Sequence, residues 1–140
     1  MVGRPRYVDI NVFVYWLGKH PEFGEAAYDW VKKIEGSPRG EFVTSSLTLY
    51  EALVIVAGLT GKSLRDEGFV EAVVSSITRV RGLVVEPLKS EDFAKAVDLM
   101  RECGLDFEDS VHLAVALRVD AKEIVSNDRD FDVAPIKRIM

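Results

Sequence analysis

The chain has 140 residues, a typical length for one domain, and its 48% apolar and 29% charged residues are typical of a globular protein rather than a disordered or fibrous one. Proteins that bind nucleic acids nonspecifically usually have a basic surface, so the formal net charge of −5 argues against such binding. The single cysteine excludes an intramolecular disulfide bond and a cysteine-rich zinc site.

Turn-forming residues divide the chain into short β-branched runs and longer stretches with apolar residues at helical spacing. In chain order these predict a strand at residues 6–10, helices at 11–19 and 23–34, a strand at 41–44, helices at 46–59 and 64–80, a strand at 83–86, helices at 90–103 and 106–118, and strands at 123–126 and 136–139. Strands that alternate with helices predict a parallel sheet covered on both faces. We therefore expect an α/β fold in which residues 1–140 form a single domain.

The location of the protein is predicted from its apolar stretches. The longest of them, such as residues 12–17 and 53–57, are far too short to span a bilayer. Asp9 and Asn11 interrupt the apolar run near the N-terminus, which is a poor match to a secretory signal. The sequence therefore predicts a cytoplasmic protein with no membrane segment.

Acidic residues occupy four turns of this predicted fold. Asp9 lies near the end of the first strand, and Glu51 follows the second. Asp109 lies in the first turn of the helix at 106–118, and Asp128 follows the strand at 123–126. In parallel sheets of this kind, ligands bind outside the carboxyl ends of the strands. These four acids are therefore the candidate functional residues.

Asp9 and Asp128 also have purely structural interpretations. Asp9 could cap the next helix, although a buried carboxylate without a partner or a metal ion is costly. Asp128 lies in a run of Asp and Asn that could build a turn by bonding its own backbone. Because Asp128 corresponds in position to Asp9, we favour a functional role for both, and we expect Asp130 and Asp132 to be solvated.

Glu51 has two interpretations that depend on where its helix begins. Thr48 and Glu51 have the spacing of a capping box, in which the glutamate bonds a backbone N–H. If Ser45 or Ser46 is the cap instead, Glu51 lies on the second turn. It then shares a stripe, which we expect to face the sheet, with Leu47, Val54 and Ile55.

The helix at 106–118 begins with three acids, which suit a helix N-terminus without any function. Asp106 is a natural cap, whereas Asp109 lies on the same side as His112 and Leu113. We therefore favour Asp109 as the functional acid and keep Asp106 as the alternative. His112 is expected to pack in the interior, or at most to support the site.

Acids that share one sheet edge repel each other, so the cluster should be unfavourable without a cation. Oxygen ligands suit hard cations, which here means Mg²⁺ or Mn²⁺. Such a cation can activate water for attack on phosphorus and screen the charge that grows on the phosphate oxygens. The pattern therefore favours hydrolysis of phosphodiesters.

With these residues the chain resembles the PIN-domain family, and particularly the small VapC-like toxin ribonucleases. The resemblance rests on four segments in order: Tyr-Val-Asp-Ile-Asn-Val at 7–12, the hydroxyl-rich stretch at 44–51, residues 105–117 around Asp-Ser-Val-His-Leu-Ala, and residues 125–131. It implies a three-layer α/β/α fold with a central parallel sheet and a Mg²⁺- or Mn²⁺-dependent endoribonuclease activity.

The resemblance also implies residue roles and partners. Asp9, Glu51 and Asp109 match the three main acids of the family, and Asp128 matches the fourth, more variable acid. A polar residue near the site is matched by one of Ser45, Ser46 and Thr48. Members are often homodimers, and the toxin members are inhibited by an antitoxin protein.

We therefore expect Asp9, Glu51 and Asp109 to hold a first cation, with Asp128 holding a second one or positioning the first through water. Single-stranded RNA is the expected substrate, because a shallow acidic edge offers no obvious reader of duplexes. Basic residues that could contact phosphate, or simply be solvated, are Arg4, Arg6, Lys19, Lys62, Arg65 and Arg129.

Two other functions stay open on the sequence. One is a non-catalytic module that docks a partner and binds metal weakly. The other is a phosphoacceptor domain resembling receivers, which also carry acids at strand ends. Receivers usually have adjacent acids after the first strand, whereas this chain has Asp9-Ile10-Asn11, so the sequence favours the first of these two.

Overall fold

A computed structural model describes residues 3–140, so the first two residues of the predicted domain lie outside the described part. In that range the strands are β1 (Arg6–Val8), β2 (Phe42–Ser45), β3 (Leu83–Glu86), β4 (Glu123–Val125) and β5 (Lys137–Ile139). The α-helices of the same range are α1 (Ile10–Leu17), α2 (Gly24–Glu35), α3 (Ser46–Thr60), α4 (Glu67–Thr78), α5 (Ser90–Cys103) and α6 (Phe107–Arg118). A short 3₁₀-helix spans Arg129–Val133. No helix among residues 3–140 is both long and apolar enough to cross a membrane.

The strands of residues 3–140 form one parallel sheet in the order β3-β2-β1-β4-β5. β1 lies at the centre, where Tyr7 is paired with Val43 of β2 on one side and with Ile124 of β4 on the other. The predicted α/β class with a central parallel sheet is confirmed.

Helices cover both faces of this sheet. Neighbouring residues of a strand point to opposite faces, so they pack against different helices. Val8 packs in a core with side chains from α1 to α4, among them Phe13 and Val73. Tyr7 packs in a second core with Leu99 of α5 and Leu113 of α6. The sheet therefore separates two helical layers, as the predicted three-layer α/β/α arrangement requires.

The strand order changes direction at β1. The chain first builds β2 and β3 on one side of β1, and later adds β4 and β5 on the other. In open parallel sheets such a switch point opens a crevice beyond the strand ends. Asp9 follows β1 directly and Ser126 follows β4, so the crevice lies between their two turns.

The observed elements differ from the predicted ones mainly at their ends. α4 begins at Glu67 rather than at residue 64, because Asp66 caps it by accepting a hydrogen bond from Phe69 N at 3.1 Å. β1 ends at Val8, since α1 already begins at Ile10. The 3₁₀-helix was not predicted, and it forms where the turn after β4 buries Phe131.

A cluster of three charged side chains, Arg118, Asp92 and Glu86, joins α6 to α5 and β3. Arg118 of α6 donates hydrogen bonds to both oxygens of Asp92 in α5, at 2.8 and 3.0 Å, and to Glu86 Oε1 at 2.6 Å. Asp92 also accepts from Lys89 N at 2.9 Å. Burial raises the pKa of Asp92, but the bonds from Arg118 and Lys89 outweigh it and hold that pKa below its ordinary value.

We predict that Asp92→Asn lowers the free energy of unfolding at neutral pH by about 1.5–3 kcal/mol, the range for hydrogen bonds to charged groups. Because the folded-state pKa of Asp92 is depressed from 3.8, its contribution is present above that value and is lost as the pH falls through the lower, folded-state pKa. Urea denaturation at neutral and acidic pH measures both effects.

The matched control is Glu102→Gln, which removes an exposed acid from the same helix. It should change the free energy of unfolding by less than about 0.5 kcal/mol. A deficit for Asp92→Asn that is equally large at neutral pH and well below pH 3.8 would contradict the ionic origin of the effect.

Candidate active site

Asp9 is buried at the switch point of the sheet, with 2% of its surface exposed. It lies at the N-cap position of α1, but its side chain makes no capping hydrogen bond among residues 3–140. Its Oδ2 accepts a hydrogen bond from Ser126 Oγ at 2.7 Å, whereas its buried Oδ1 has no hydrogen-bond partner within the same range. Burial is the largest influence on the pKa of Asp9 and raises it. The carboxylate therefore does not serve as the cap of α1.

Glu51 points from α3 towards His112 of α6. The distance from His112 Nε2 to Glu51 Oε1 is 2.6 Å, and the distance from the same nitrogen to Asp9 Oδ1 is 3.9 Å. Burial opposes the charged form of His112, yet the contacts with Tyr7, Glu51 and Asp9 raise its pKa well above the ordinary value. His112 thus lies between two of the predicted acids, whereas the sequence predicted only that it would pack in the interior or at most support the site.

Of the two interpretations of Glu51, the structure excludes the capping box and agrees with the second, in which Ser45 is the cap and the Glu51 carboxylate points inward. The N-cap of α3 is Ser45, and Thr48 is turned towards the sheet, where its hydroxyl bonds Thr44 Oγ1 at 2.8 Å, so the predicted capping box does not form. The stripe that was expected to face the sheet is exposed in part, since Val54 is 43% and Ile55 41% exposed. Glu51 itself is turned inward, where its carboxylate contacts His112.

Asp109 and Asp128 lie together at the same edge, and Asp130 lies beside them. One carboxylate oxygen from each of these three residues lies within 4.8 Å of the others. Burial, together with the charges of Asp106, Asp128 and Asp9, raises the pKa of Asp109 to about 7. Asp130 was expected to be merely solvated, and it is exposed, but it belongs to this group of acids.

Two acids of the region also act as caps. Asp106 Oδ1 accepts a hydrogen bond from Asp109 N at 2.9 Å and so caps α6. Asp128 Oδ1 accepts from Asp130 N at 2.9 Å and so caps the 3₁₀-helix. The carboxylate of Asp106 is thus used for capping, whereas Asp109 lies nearer to the other acids, which favours Asp109 as the third acid of the site.

Ser126 was treated as a strand residue, yet its hydroxyl is central to the site. The fully buried Oγ donates to Asp9, accepts from Asp128 N at 3.0 Å and accepts from Asn11 Nδ2 at 3.2 Å. Asn11 Oδ1 also accepts from Asn127 N at 3.4 Å. A polar Ser-Asn pair directly after an apolar strand was the signal in the sequence that could have indicated this role.

Most of the proposed phosphate contacts lie away from the acids. Arg6 bonds Glu123 at 2.7 Å and Arg4 pairs with Asp120 at 3.2 Å, both at the opposite end of the strands. Lys62 and Arg65 follow α3, whose 15 residues carry the chain roughly 22 Å from the acidic edge. Lys19 follows α1, whose 8 residues carry the chain about 12 Å from Asp9. Arg129 is exposed and adjacent to Asp128, and is the best placed of the six.

Comparison with known proteins decides the family. The family model described as "PIN domain" matches residues 6–137. The chain belongs to the PIN-domain family. The resemblance drawn from the four sequence segments is thereby confirmed.

Solved structures share this PIN fold over nearly the whole chain. VapC20 of Mycobacterium tuberculosis, described as a toxin that cleaves the sarcin-ricin loop, is 19% identical with a TM-score of 0.71, covering 93% of this chain and 95% of its own. VapBC2 of Rickettsia felis, bound to promoter DNA, is 16% identical with a TM-score of 0.66 and 96% coverage of both chains. A toxin–antitoxin complex from Klebsiella pneumoniae is 18% identical with a TM-score of 0.63 and the same coverage. No curated protein matches the chain.

The residues at this edge fit a divalent cation of the kind that PIN nucleases generally use. All the acids offer oxygen ligands, which Mg²⁺ and Mn²⁺ prefer. Asp9 Oδ1 is buried without a hydrogen-bond partner in the described part of the chain, and the pKa of Asp109 is raised by burial and by neighbouring carboxylates. A bound cation would relieve both conditions, because it supplies the opposite charge that these oxygens lack.

We predict that Asp109→Asn stabilises the cation-free protein as the pH rises. The folded-state pKa of Asp109 is about 7, above the ordinary 3.8, so ionisation of this group destabilises the fold increasingly between those values. Variant and wild type should differ little below pH 3.8, and the variant should be the more stable above pH 7. Chemical denaturation across this pH range in EDTA measures the difference.

Added Mn²⁺ should reverse that difference, because the wild-type carboxylate then gains a cation. Glu71→Gln, which removes an exposed acid of α4, is the control and should show no such pH dependence. If Asp109→Asn is destabilising at every pH in EDTA, the interpretation of the acidic edge as electrostatically unfavourable is wrong.

Proposed function

We propose that residues 1–140 form one PIN-like nuclease domain that hydrolyses RNA phosphodiester bonds with Mg²⁺ or Mn²⁺, and that it is the toxin of a toxin–antitoxin pair in the cytoplasm. The observation that carries this proposal is Asp9 Oδ1 at the switch point, which is buried, has no hydrogen-bond partner within residues 3–140, and lies 3.9 Å from the His112 nitrogen that also contacts Glu51. Family membership supports it, as does the likeness to a toxin described as cleaving the sarcin-ricin loop.

In this proposal Asp9, Glu51 and Asp109 hold a first cation, and Asp128 holds a second or positions the first through water. The cation, when bound, supplies activated water and neutralises the charge that grows on the phosphate oxygens. Ser126 keeps one oxygen of Asp9 engaged and leaves the other free.

The substrate is an RNA, single-stranded or structured, that approaches this edge from solvent. Arg129 and Asp130 are exposed there, so a phosphate that reaches the acids passes beside the Arg129 guanidinium. The net charge of −5 gives little general attraction for RNA, so contact with phosphate depends on bound cations and on this arginine.

Partners follow from the same proposal. Two of the similar structures are toxin–antitoxin complexes or carry the name VapBC, which supports an antitoxin protein as a partner of this chain. A homodimer is supported by exposed apolar residues on three helices, and α3 presents one apolar stripe to the core and another to solvent. The exposed apolar residues are Tyr50, Val54 and Ile55 of α3, Phe93, Val97 and Met100 of α5, and Phe107 of α6.

We predict that the purified chain cuts RNA with Mn²⁺ or Mg²⁺ and not with EDTA, and that Asp9→Asn and Asp109→Asn abolish the cutting. Loss of a residue that hydrogen-bonds a metal ligand lowers metal affinity or activity roughly 10–100-fold. Loss of a ligand itself should therefore lower the cleavage rate at least about 100-fold. Gel analysis of a mixed set of single-stranded and hairpin RNAs measures the rates.

The fold control is Glu71→Gln, which should cut at the wild-type rate. Cutting that survives both substitutions would mean that another site or a contaminant is responsible. Folded wild-type chain that cuts none of the RNAs under any cation would favour the alternative, a non-catalytic PIN-like module that docks a partner.

We also predict that Asp106→Ser keeps the cleavage rate close to that of the wild type. Serine caps a helix about as well as aspartate, so α6 should keep its start and Asp109 its position. A loss as large as that of Asp109→Asn, in a variant whose melting temperature is unchanged, would assign the third acid to Asp106 instead.

A further inference from the structure

A line of buried hydrogen bonds connects the sheet to Glu51 and passes through His112. The Tyr7 hydroxyl lies 3.0 Å from Ser45 Oγ and 2.7 Å from His112 Nδ1, and His112 Nε2 lies 2.6 Å from Glu51 Oε1. We propose that His112 is a positioning residue that holds the Glu51 carboxylate in the acid cluster, with Tyr7 fixing the orientation of the ring. This proposal rests on the proposed nuclease function and adds a residue to it.

The direction of the last bond does not depend on the charge of the ring. An ionised carboxylate only accepts hydrogen bonds, so Nε2 of His112 carries the proton that faces Glu51. In the neutral ring, Nδ1 accepts from the Tyr7 hydroxyl, and Ser45 donates to the phenol oxygen. In the doubly protonated ring, Nδ1 donates to Tyr7, whose hydroxyl then donates to Ser45. Either way, an N–H points at Glu51.

His112 cannot itself be a ligand of a cation in this arrangement. Only 1% of its surface is exposed, and each ring nitrogen already faces a hydrogen-bond partner. No lone pair is left for a metal ion, and the ring does not reach the surface where RNA would lie. Its contribution is therefore to the geometry of Glu51.

The position of Glu51 needs such a support because acids lie on both sides of it, Glu108 outside and Asp9 inside. On the outer side, Glu108 of α6 is exposed and lines the same surface cavity as Glu51, so a second acid lies beside the Glu51 carboxylate. On the inner side, the Nε2 of His112 lies 3.9 Å from Asp9 Oδ1, so its N–H separates two carboxylates that would otherwise repel each other. Without His112, the Glu51 carboxylate would keep no hydrogen bond to another side chain within residues 3–140.

Cation binding by the full chain tests the role directly, with Mn²⁺ alone as the probe and calorimetry as the readout. His112→Leu should lower the Mn²⁺ affinity about 10–100-fold, the usual cost of losing an outer partner of a metal site. His112→Gln, whose amide nitrogen can replace Nε2, should restore most of that affinity. The matched control is Ser110→Ala, which removes a buried hydroxyl of the same helix that lacks a hydrogen-bond partner within residues 3–140, and it should bind Mn²⁺ like the wild type.

A second measurement is independent of any activity. Long-range ¹H–¹⁵N spectra of the cation-free protein should show a proton on Nε2 of His112 whose resonance moves in Glu51→Gln and in Tyr7→Phe. An Nε2 without a proton, or one that does not respond to Glu51→Gln, would overturn the proposal. If His112→Leu does not fold, Tyr7→Phe takes its place in the calorimetry and should also weaken Mn²⁺ binding.

The two readouts separate this inference from the proposed function. Unchanged Mn²⁺ affinity in folded His112→Leu overturns the positioning role while leaving the nuclease proposal intact. A wild-type chain that binds no Mn²⁺ and cuts no RNA defeats the nuclease proposal, and the spectra of the cation-free protein then decide alone whether His112 holds Glu51.

Discussion

The structure depends most on the burial of one carboxylate. β1 has strands on both sides and helices on both faces, so the residue that follows it enters the most enclosed part of the sheet edge. Burying an ionised group in such a place costs roughly several kcal/mol of free energy, unless hydrogen bonds or an opposite charge compensate for the lost solvation. The neighbours of Asp9 are arranged around this requirement.

The protein itself supplies only part of the compensation. Ser126 comes from the turn after β4 and binds one oxygen of Asp9, and His112 comes from α6 and separates Asp9 from Glu51. The remaining oxygen stays unpartnered within the described part of the chain, and Asp109, Asp128 and Asp130 gather nearby. The protein supplies too few hydrogen-bond donors for these carboxylates, so the acid cluster is unfavourable by itself. A divalent cation bound among the carboxylates would stabilise it.

The sequence predicted the fold well and the site in part, and the differences have physical causes. Alternating β-branched runs and helical spacings identify a parallel sheet, and strand ends in such a sheet meet at one edge, so the acids could be located from their order alone. The contact between Glu51 and His112 joins residues 61 positions apart, which no local pattern reveals. α3 has two apolar faces, so its periodicity could not show that Val54 and Ile55 are exposed. The 3₁₀-helix has the same turn-forming residues as a loop, and only the burial of Phe131 distinguishes them.

The cluster of Arg118, Asp92 and Glu86 has a consequence for the geometry of α6 as a whole. Asp109 and His112 lie on this helix, whereas its other end is held to α5 and β3 by Arg118. A slip of one residue along the helix axis would turn its side chains by about 100° and move them by about 1.5 Å, which would take both residues out of the edge. The cluster therefore helps to fix the register of α6 at a point about 13 Å from Asp109, nine residues further along the helix. In this protein an ion-pair cluster remote from the acids helps to keep them aligned.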